Sequence, residues 1–490
     1  MTSAAAGAGG AKRRGSRPST QPASPGTAAR AVAMEALVRV EAGGYSNLVL
    51  PGLLRASGLD SRDRALVTDL VYGTLRQQGQ VDYLLATASH RPLPELDPPV
   101  RAALRLGAYQ LLAGIAPHAA VSATVGALAG WSTPRSVGRA APYANAVLRK
   151  VAALGPAWPW PAGDDHDALA VRTSHPRWIV ELFERDFGDE ACAILASANT
   201  PPAVTLRPNP LRTTAETLTA ELTEGPDASG VHVEPGQLVK DALLVRGVGD
   251  LARLPAVAEG RATPQDQASQ AVAAAVGARP GERILDLAAA PGGKATALAE
   301  AMGDDGLVVA SDLRPGRAGR VRDAARRLNL ASVQVLAADG RQLPLRTGGG
   351  VGGGAGAAGP GRFDRVLLDA PCSGLGVLRR RPEARWRLDP ADIERLAALQ
   401  RELLTAAVDR VRPEGLLAYC VCTLTREETL DIDAWAADAF PSLTPAPAPV
   451  PGPPWRPHGR GALLLPNDAG TDGMFLLLLQ AGAGSLPAFA

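Results

Sequence analysis

Cysteine is scarce in this chain, with four in 490 residues. They form no even framework, which argues against a disulfide-built secreted fold and for free thiols in a reducing compartment. Aromatic residues make up only 4%; alongside abundant Ala, Gly, Pro and Arg, this is a compositional bias rather than a functional signal. No run of 18 uncharged apolar residues occurs, so no transmembrane helix is predicted. The N-terminus has no compact apolar core and is not a secretory signal. Residues 1–28 are basic and acid-free and read as a disordered tail, with an organellar transit peptide as the alternative. Also missing are the G-x-G-x-x-G and Walker patterns, which removes the usual support for a dinucleotide or nucleoside triphosphate.

What is present is length, apolar content and charge asymmetry. The chain is long enough for two or three domains, and its 46% apolar residues can fill sizeable cores. Residues 1–150 carry 17 Lys+Arg against 8 Asp+Glu, a surplus of +9, while the remainder sums to −7. A basic front end suggests a polyanionic partner, although part of the surplus belongs to the tail. Residues 29–153 show apolar positions at three- and four-residue spacing between Gly, Pro and Asp breaks, which predicts an all-helical domain. GPAWPWPAGDDHD reads as a linker, and residues 166–260 as a small α+β connecting region. From 261 to 482 strands and helices alternate, which predicts a doubly wound, Rossmann-like α/β domain with a parallel sheet. The low-complexity stretch 347–361 is expected to be a surface loop.

Ligands of such sheets lie outside the carboxyl ends of the strands. The first strand ends at Asp286 and opens into Ala288, Ala289, Ala290, Pro291, Gly292, Gly293 and Lys294, small residues that let a backbone approach a ligand closely. The second ends at Asp312, placed for ribose hydroxyls, and the third at Asp339, placed for an adenine amino group. The fourth runs into Asp369-Ala-Pro-Cys372 and the fifth into Cys420-Val-Cys422. Three strand-end acids after a tight Gly turn point to an adenosine-bearing ligand without a phosphate cradle, which S-adenosylmethionine fits best. The fourth and fifth strands are neighbours in the doubly wound order, so Cys372 and Cys422 should face one pocket. Thiols beside a methyl donor suggest methylation of a pyrimidine at carbon-5, where a thiolate adds to carbon-6 and Asp369 stabilises charge on the ring. A zinc site would need a fourth ligand that none of the six histidines supplies at a workable spacing, so no metal is expected. Cys192 reads as an inert core residue.

DLAAAPGGKAT, LLDAPCSGLGVLRRRPEARW and YCVCTLTREET resemble the Nop2/Sun-type RNA (cytosine-5) methyltransferases. RALVTDLVYGTLR, APHAAVSATV and YANAVLRKV resemble a NusB-like RNA-binding domain, a union similar to bacterial 16S rRNA cytosine-5 methyltransferases. The resemblance implies S-adenosylmethionine binding by Ala288 to Lys294, Asp312, Asp339 and Asp369. It implies Cys422 as the nucleophile and Cys372 as the group that helps break down the covalent adduct. Cys420 stands in a Ser position, Ala288 in a Cys position, Thr429 in an Asn position, and Arg381-Pro382-Glu383 where His-Pro-Asp is common. Arg379, Arg380, Arg381, Arg385, Arg387 and Trp386 crowd the segment after Cys372, and phosphate contacts and base stacking are expected of them. The expected partner is RNA, either 16S rRNA or a small-subunit assembly intermediate, met by a cytoplasmic monomer without membrane contact. Two other readings are a non-catalytic RNA-binding or antitermination factor with a vestigial sheet, and a DNA cytosine-5 methyltransferase.

Overall fold

The structure, a computed structural model, describes residues 26–131, 136–225, 230–249, 251–345, 361–447 and 452–483. Most of the basic tail and all but Gly361 of the glycine-rich stretch lie outside the described residues.

Among the described residues, seven α-helices between Thr27 and Leu154 form the front domain. Their apolar stripes close on one core that includes Met34, Leu70, Leu84, Leu104, Leu128 and Leu148. Asp60 caps the helix Ser61–Arg76 by accepting from the Asp63 amide, which satisfies one of the orphan donors of a helix start. The stretch after the front domain, read as a linker, has no regular element between Leu154 and His166. Even so, it is not a free spacer, because Trp158 and Trp160 pack against the helical core. Large aromatic surfaces bury wherever a core lies within reach, whatever Pro and Gly surround them.

The connecting region has two parts. Helices His166–Thr173, Arg177–Phe187 and Ala191–Ser197 bury Leu169, Ile179, Phe183 and Ile194 in the same core as the C-terminal sheet. Cys192, expected in a core, is exposed on the third of these helices. Beyond them β1 (Val204–Pro208), β2 (His232–Pro235), β3 (Leu243–Arg246) and β4 (Ala262–Pro264) pair antiparallel in the order β2-β3-β1-β4, with a small core of their own around Leu206 and Leu218.

The C-terminal domain holds β5 (Arg283–Asp286), β6 (Leu307–Asp312), β7 (Val333–Ala337), β8 (Phe363–Asp369) and β9 (Val411–Val421). These five are parallel, in the order β7-β6-β5-β8-β9. Strand order therefore reverses between β5 and β8, where a doubly wound sheet binds its ligand. The expected α/β domain is present, but the sheet is mixed rather than parallel. β10 (Leu443–Pro445), β11 (Arg456–His458), β12 (Gly461–Leu464) and β13 (Met474–Ala481) extend it, β13 running antiparallel to β9. Covered by β13 on this side, β9 is buried from Leu417 to Val421, which accounts for the apolar run there.

The arginine segment overturns its expectation. Arg385 is fully buried; its Nη1 donates to the Ser174 carbonyl at 3.0 Å and to Asn199 Oδ1 at 2.7 Å. Arg379 donates to the carbonyls of Thr200 and Thr471. Arg380 is paired with Asp266 and Asp472. Arg387 reaches the carbonyls of Val40 and Gly44, and the Trp386 indole lies 3.4 Å from the Leu75 carbonyl. Glu383 is buried and accepts from the amide and hydroxyl of Ser46. The segment thus clamps the front domain and the connecting helices onto the catalytic sheet. A guanidinium fork serves converging carbonyls as well as it serves phosphates, and only the tertiary fold decides which it meets. Arg381 alone of the five is exposed with no such partner.

His175 lies beside Arg385 and is buried, its Nδ1 2.7 Å from the Thr173 carbonyl. Burial, then the Arg385 charge, holds its imidazole well below the ordinary value. An unfolded chain therefore takes up this proton first, so stability is intact above about pH 6.5 and falls as pH drops below it, by up to ~1.4 kcal/mol per unit. Urea midpoints measured from pH 7.5 to 5 should fall in the wild type and flatten in His175→Gln.

Candidate functional site

The turn after β5 shapes the floor of the site. The Ala289 amide donates to the Ser311 carbonyl on β6 at 2.8 Å, and Gly292 closes the turn by donating to Ala289 at 2.7 Å. Gly292 has φ +106, and a Cβ there would come within 3.1 Å of the Val321 backbone, so only glycine fits. The helix Gly293–Ala301 then begins, its N-terminus facing the strand ends.

Arg207 supports this turn from another domain. From β1 it donates to the Gly293 carbonyl at 2.7 Å, to Thr296, and to both carboxylate oxygens of Glu300. The Arg207–Glu300 pair is buried. Nothing near Arg207 in the sequence marks this role, because its partners stand about ninety residues on.

At the switch point between β5 and β8, the predicted residues separate into two groups. Asp369, Lys294, Cys372, Cys420 and Cys422 come together. Lys294 Nζ lies 2.7 Å from Asp369 Oδ2, and Cys420 donates its thiol to Asp369 Oδ1 at 3.3 Å. The sulfurs of Cys372 and Cys422 are 3.3 Å apart, both as free thiols. β8 and β9 pair with Asp369 opposite Cys420, which brings the two loops beyond them side by side. Gly376 laces these loops by donating to the Cys422 carbonyl at 3.0 Å and accepting from the Gly473 amide at 2.8 Å. A Cβ on Gly376 would stand 2.3 Å from the Gly473 oxygen.

Asp312 and Asp339 stand apart from the thiols, at the ends of β6 and β7. Asp312 accepts from the Arg314 amide at 3.0 Å and pairs with Arg317. Asp339 is held by Arg341, whose hydrogen bonds lower its carboxyl.

The electrostatics make the three thiols unlike. Cys420 is buried, and burial together with Asp369 pushes its thiol well up, so it stays neutral. The hydrogen bond with Cys372 lowers Cys422, against burial and Asp369 and with help from Lys294 and Arg381. Cys372 is raised by the same contact, in which either sulfur can donate, and by burial. The balance favours the thiolate on Cys422. Lys294 is itself raised, because the charge of Asp369, with Cys420 and Cys422, outweighs burial.

Asp286 was read only as a strand end, yet it is fully buried and neither carboxylate oxygen makes a well-formed hydrogen bond among the described residues. Burial, then the Asp369 charge, raises it to about 8, with Lys294 and the Ala288 amide pulling the other way. An orphaned carboxylate behind a glycine turn, in a pocket where acids outnumber cations, fits a ligand bearing positive sulfonium and ammonium groups. It disfavours a pyrophosphate. Ala288 to Lys294 with Asp312 and Asp339 are the residues available to hold such a ligand. Among the described residues no group of three or more His, Cys, Asp or Glu could hold a metal ion. No helix among them is long and apolar enough to cross a membrane.

Comparisons with known proteins follow the same divisions. Residues 273–480 match the family described as 16S rRNA methyltransferase RsmB/F, 27–153 the NusB family, and 175–252 the ferredoxin-like domain of RsmF/B-like methyltransferases. A probable ribosomal RNA small subunit methyltransferase B of Bacillus subtilis is 33% identical over 93% of this chain and 99% of its own. The ribosomal RNA small subunit methyltransferase B of Pseudomonas putida is 35% identical with the same coverage, and a putative methyltransferase of Mycobacterium tuberculosis is 39% identical over 92% and 96%. Among solved structures, PH0851 superimposes with TM-score 0.78 at 27% identity, covering 93% of this chain and 98% of that one. NSun6 from Pyrococcus horikoshii with SFG shares the fold at 21% identity and TM-score 0.54, covering 63% of this chain and 99% of that one. Matched by these family models and by relatives of 33–35% identity over 93% of its length, the chain belongs to the S-adenosylmethionine-dependent 16S rRNA methyltransferases of the RsmB/F family.

Proposed function

We propose that this enzyme methylates carbon-5 of a cytosine in 16S rRNA through a covalent adduct on Cys422. The observation that carries the reading is the contact of Cys372 and Cys422 at 3.3 Å beside the Asp369–Lys294 pair. Carbon-5 of cytosine is a poor nucleophile until a group adds at carbon-6. The Cys422 thiolate forms that S–C bond, and the electron pair of the carbon-5–carbon-6 double bond moves to give an enamine. Asp369 stabilises charge developing on the ring. Bound S-adenosylmethionine supplies an electrophilic methyl group to the activated carbon-5. As the adduct forms, Cys372 gives its proton to the ring and becomes a thiolate. After methyl transfer that thiolate takes the carbon-5 proton, the double bond reforms, Cys422 leaves as thiolate, and the ring releases the borrowed proton to solvent. Cys420, neutral and hydrogen-bonded to Asp369, takes no part in bond making.

The cofactor is assigned to Ala288, Ala289, Ala290, Pro291, Gly292, Gly293 and Lys294 together with Asp312, Asp339 and Asp369. The target base must leave any stack to reach Cys422, and the basic helical domain of residues 29–153 is assigned to RNA contact. The connector, from 166, runs on through β4 to Pro264, and the catalytic unit follows it to 482. Catalysis by a free thiol pair suits a reducing, cytoplasmic compartment.

Methyl-labelled S-adenosylmethionine and unmodified 16S rRNA test the reaction. After nuclease digestion the label should run with 5-methylcytidine, and tritium placed on carbon-5 of cytidine should be released one for one with methyl incorporated. Label in any other nucleoside, or methylation without tritium release, rules the proposal out.

A further inference from the structure

Two loops fifty residues apart in the chain hold their sulfurs in contact, and the backbone lacing at Gly376 is not the only thing that keeps them there. Glu428 is fully buried just past the Cys422 loop, in the turn Arg426–Glu428. Its Oε1 accepts from the Ser373 amide at 2.9 Å and from Gln400 Nε2 at 2.9 Å. Its Oε2 accepts from the Ser373 hydroxyl at 2.5 Å and from the Thr425 hydroxyl at 2.9 Å. The Ser373 and Thr423 hydroxyls are themselves 2.7 Å apart. Gln400, on the helix Pro390–Val408, also donates to the Pro371 carbonyl at 2.9 Å. The Tyr419 hydroxyl lies 3.0 Å from Gln400 Oε1 and 2.9 Å from the Glu428 carbonyl.

A buried carboxylate is costly unless several donors converge on it. Here the donors come from three places: Ser373 adjoins Cys372, Thr425 follows Cys422 by three residues, and Gln400 stands on the helix behind both. No role in the proposed chemistry needs this arrangement, since Glu428 touches neither thiol.

We propose that Glu428 is a positioning residue, a buried knot that ties the Cys372 loop to the Cys422 loop and holds the Cys372 thiol where it can share a proton with Cys422 and reach the carbon-5 proton. The inference rests on the assignment of Cys422 as nucleophile and Cys372 as the adduct-resolving group. The knot also carries charge. Cys372 is faced by Cys422 from the loop after β9, by Asp369 with its partner Lys294 from β8 and the first helix of the sheet, and by Glu428. After Cys422 and burial, Glu428 is a further influence keeping the proton on Cys372. Tyr419 faces Glu428 from the other side, its hydroxyl 2.9 Å from the Glu428 carbonyl.

The test uses the full chain, unmodified 16S rRNA and four variants: Glu428→Gln, Glu428→Ala, Cys372→Ala and Cys422→Ala. Glu428→Ala takes an acceptor away from four donors and should behave like Cys372→Ala. Turnover is expected to fall at least tenfold, KM for rRNA to stay within threefold, and a protein–RNA adduct to accumulate on denaturing gels. Glu428→Gln keeps the shape but not the charge. It should retain part of the turnover and shift the pH profile of Cys372 alkylation by iodoacetamide to lower pH, which a merely structural glutamate would not do. Wild-type turnover without adduct in Glu428→Ala overturns the inference. Should that variant fail to fold, unchanged turnover with an unchanged Cys372 profile in Glu428→Gln overturns it instead. Failure of the underlying assignment looks different, because Cys422→Ala would then still transfer methyl groups whatever the Glu428 variants do.

Discussion

Cys422→Ala is expected to lose methyl transfer by on the order of a thousandfold or more and to form no adduct with rRNA. Cys372→Ala should instead accumulate the adduct, because Cys422 still adds to carbon-6 while the proton on carbon-5 has no acceptor. The two outcomes differ although the sulfurs are only 3.3 Å apart. Their contact shifts them in opposite directions, Cys422 down and Cys372 up. A second consequence follows from the sign of that shift. Removing Cys372 takes away the contact that favours the Cys422 thiolate, so adduct formation by Cys372→Ala should move to higher pH than in the wild type. Quenching reactions from pH 6 to 9 and resolving adduct on denaturing gels reads both effects. Transfer retained in Cys422→Ala, or an adduct in that variant, sinks the nucleophile assignment.

Arg385→Ala is expected to destabilise the protein by about 3 kcal/mol. Its guanidinium is completely buried and supplies the Ser174 carbonyl, Asn199 Oδ1 and the Ala198 carbonyl. Truncation strands these acceptors and opens a cavity between the connecting helices and the catalytic sheet. Burial, then the nearby Arg76, lowers the Arg385 value to about 9, which is the cost the fold accepts for the joint. Arg381→Ala makes the contrast within the same run of residues. That side chain is exposed, so its urea midpoint should stay within about 0.5 kcal/mol of wild type. Its activity should fall at neutral pH, because the Arg381 charge favours the Cys422 thiolate. If instead Arg385→Ala keeps its stability and loses rRNA affinity, the segment contacts RNA after all.

This segment marks where reading the chain residue by residue stops. Five arginines around a tryptophan, just after a reactive cysteine, carry the local signature of phosphate binding. The signature is silent about burial, which depends on helices more than 170 residues earlier. Arg207 and Glu428 escaped for the same reason. Each is one polar residue in an ordinary context, and what gives it a role is a set of partners gathered from distant segments. Asp286 was visible as a strand end, but its orphaned carboxylate is a property of the space around it.

The helical front, the connecting region and the doubly wound order were legible because periodicity and Gly/Pro punctuation are local. The meeting of Cys372 with Cys422 was legible too, since a doubly wound order puts the fourth strand beside the fifth whatever the side chains. By itself, then, the sequence determined the architecture, the strand ends and which thiols share a pocket, all of which follow from near-neighbour backbone rules. Only the tertiary structure decided how far apart the two sulfurs stand, which arginines are mortar between domains, and which carboxylate ties the two loops, because burial and hydrogen-bond partners are set by packing across the whole chain.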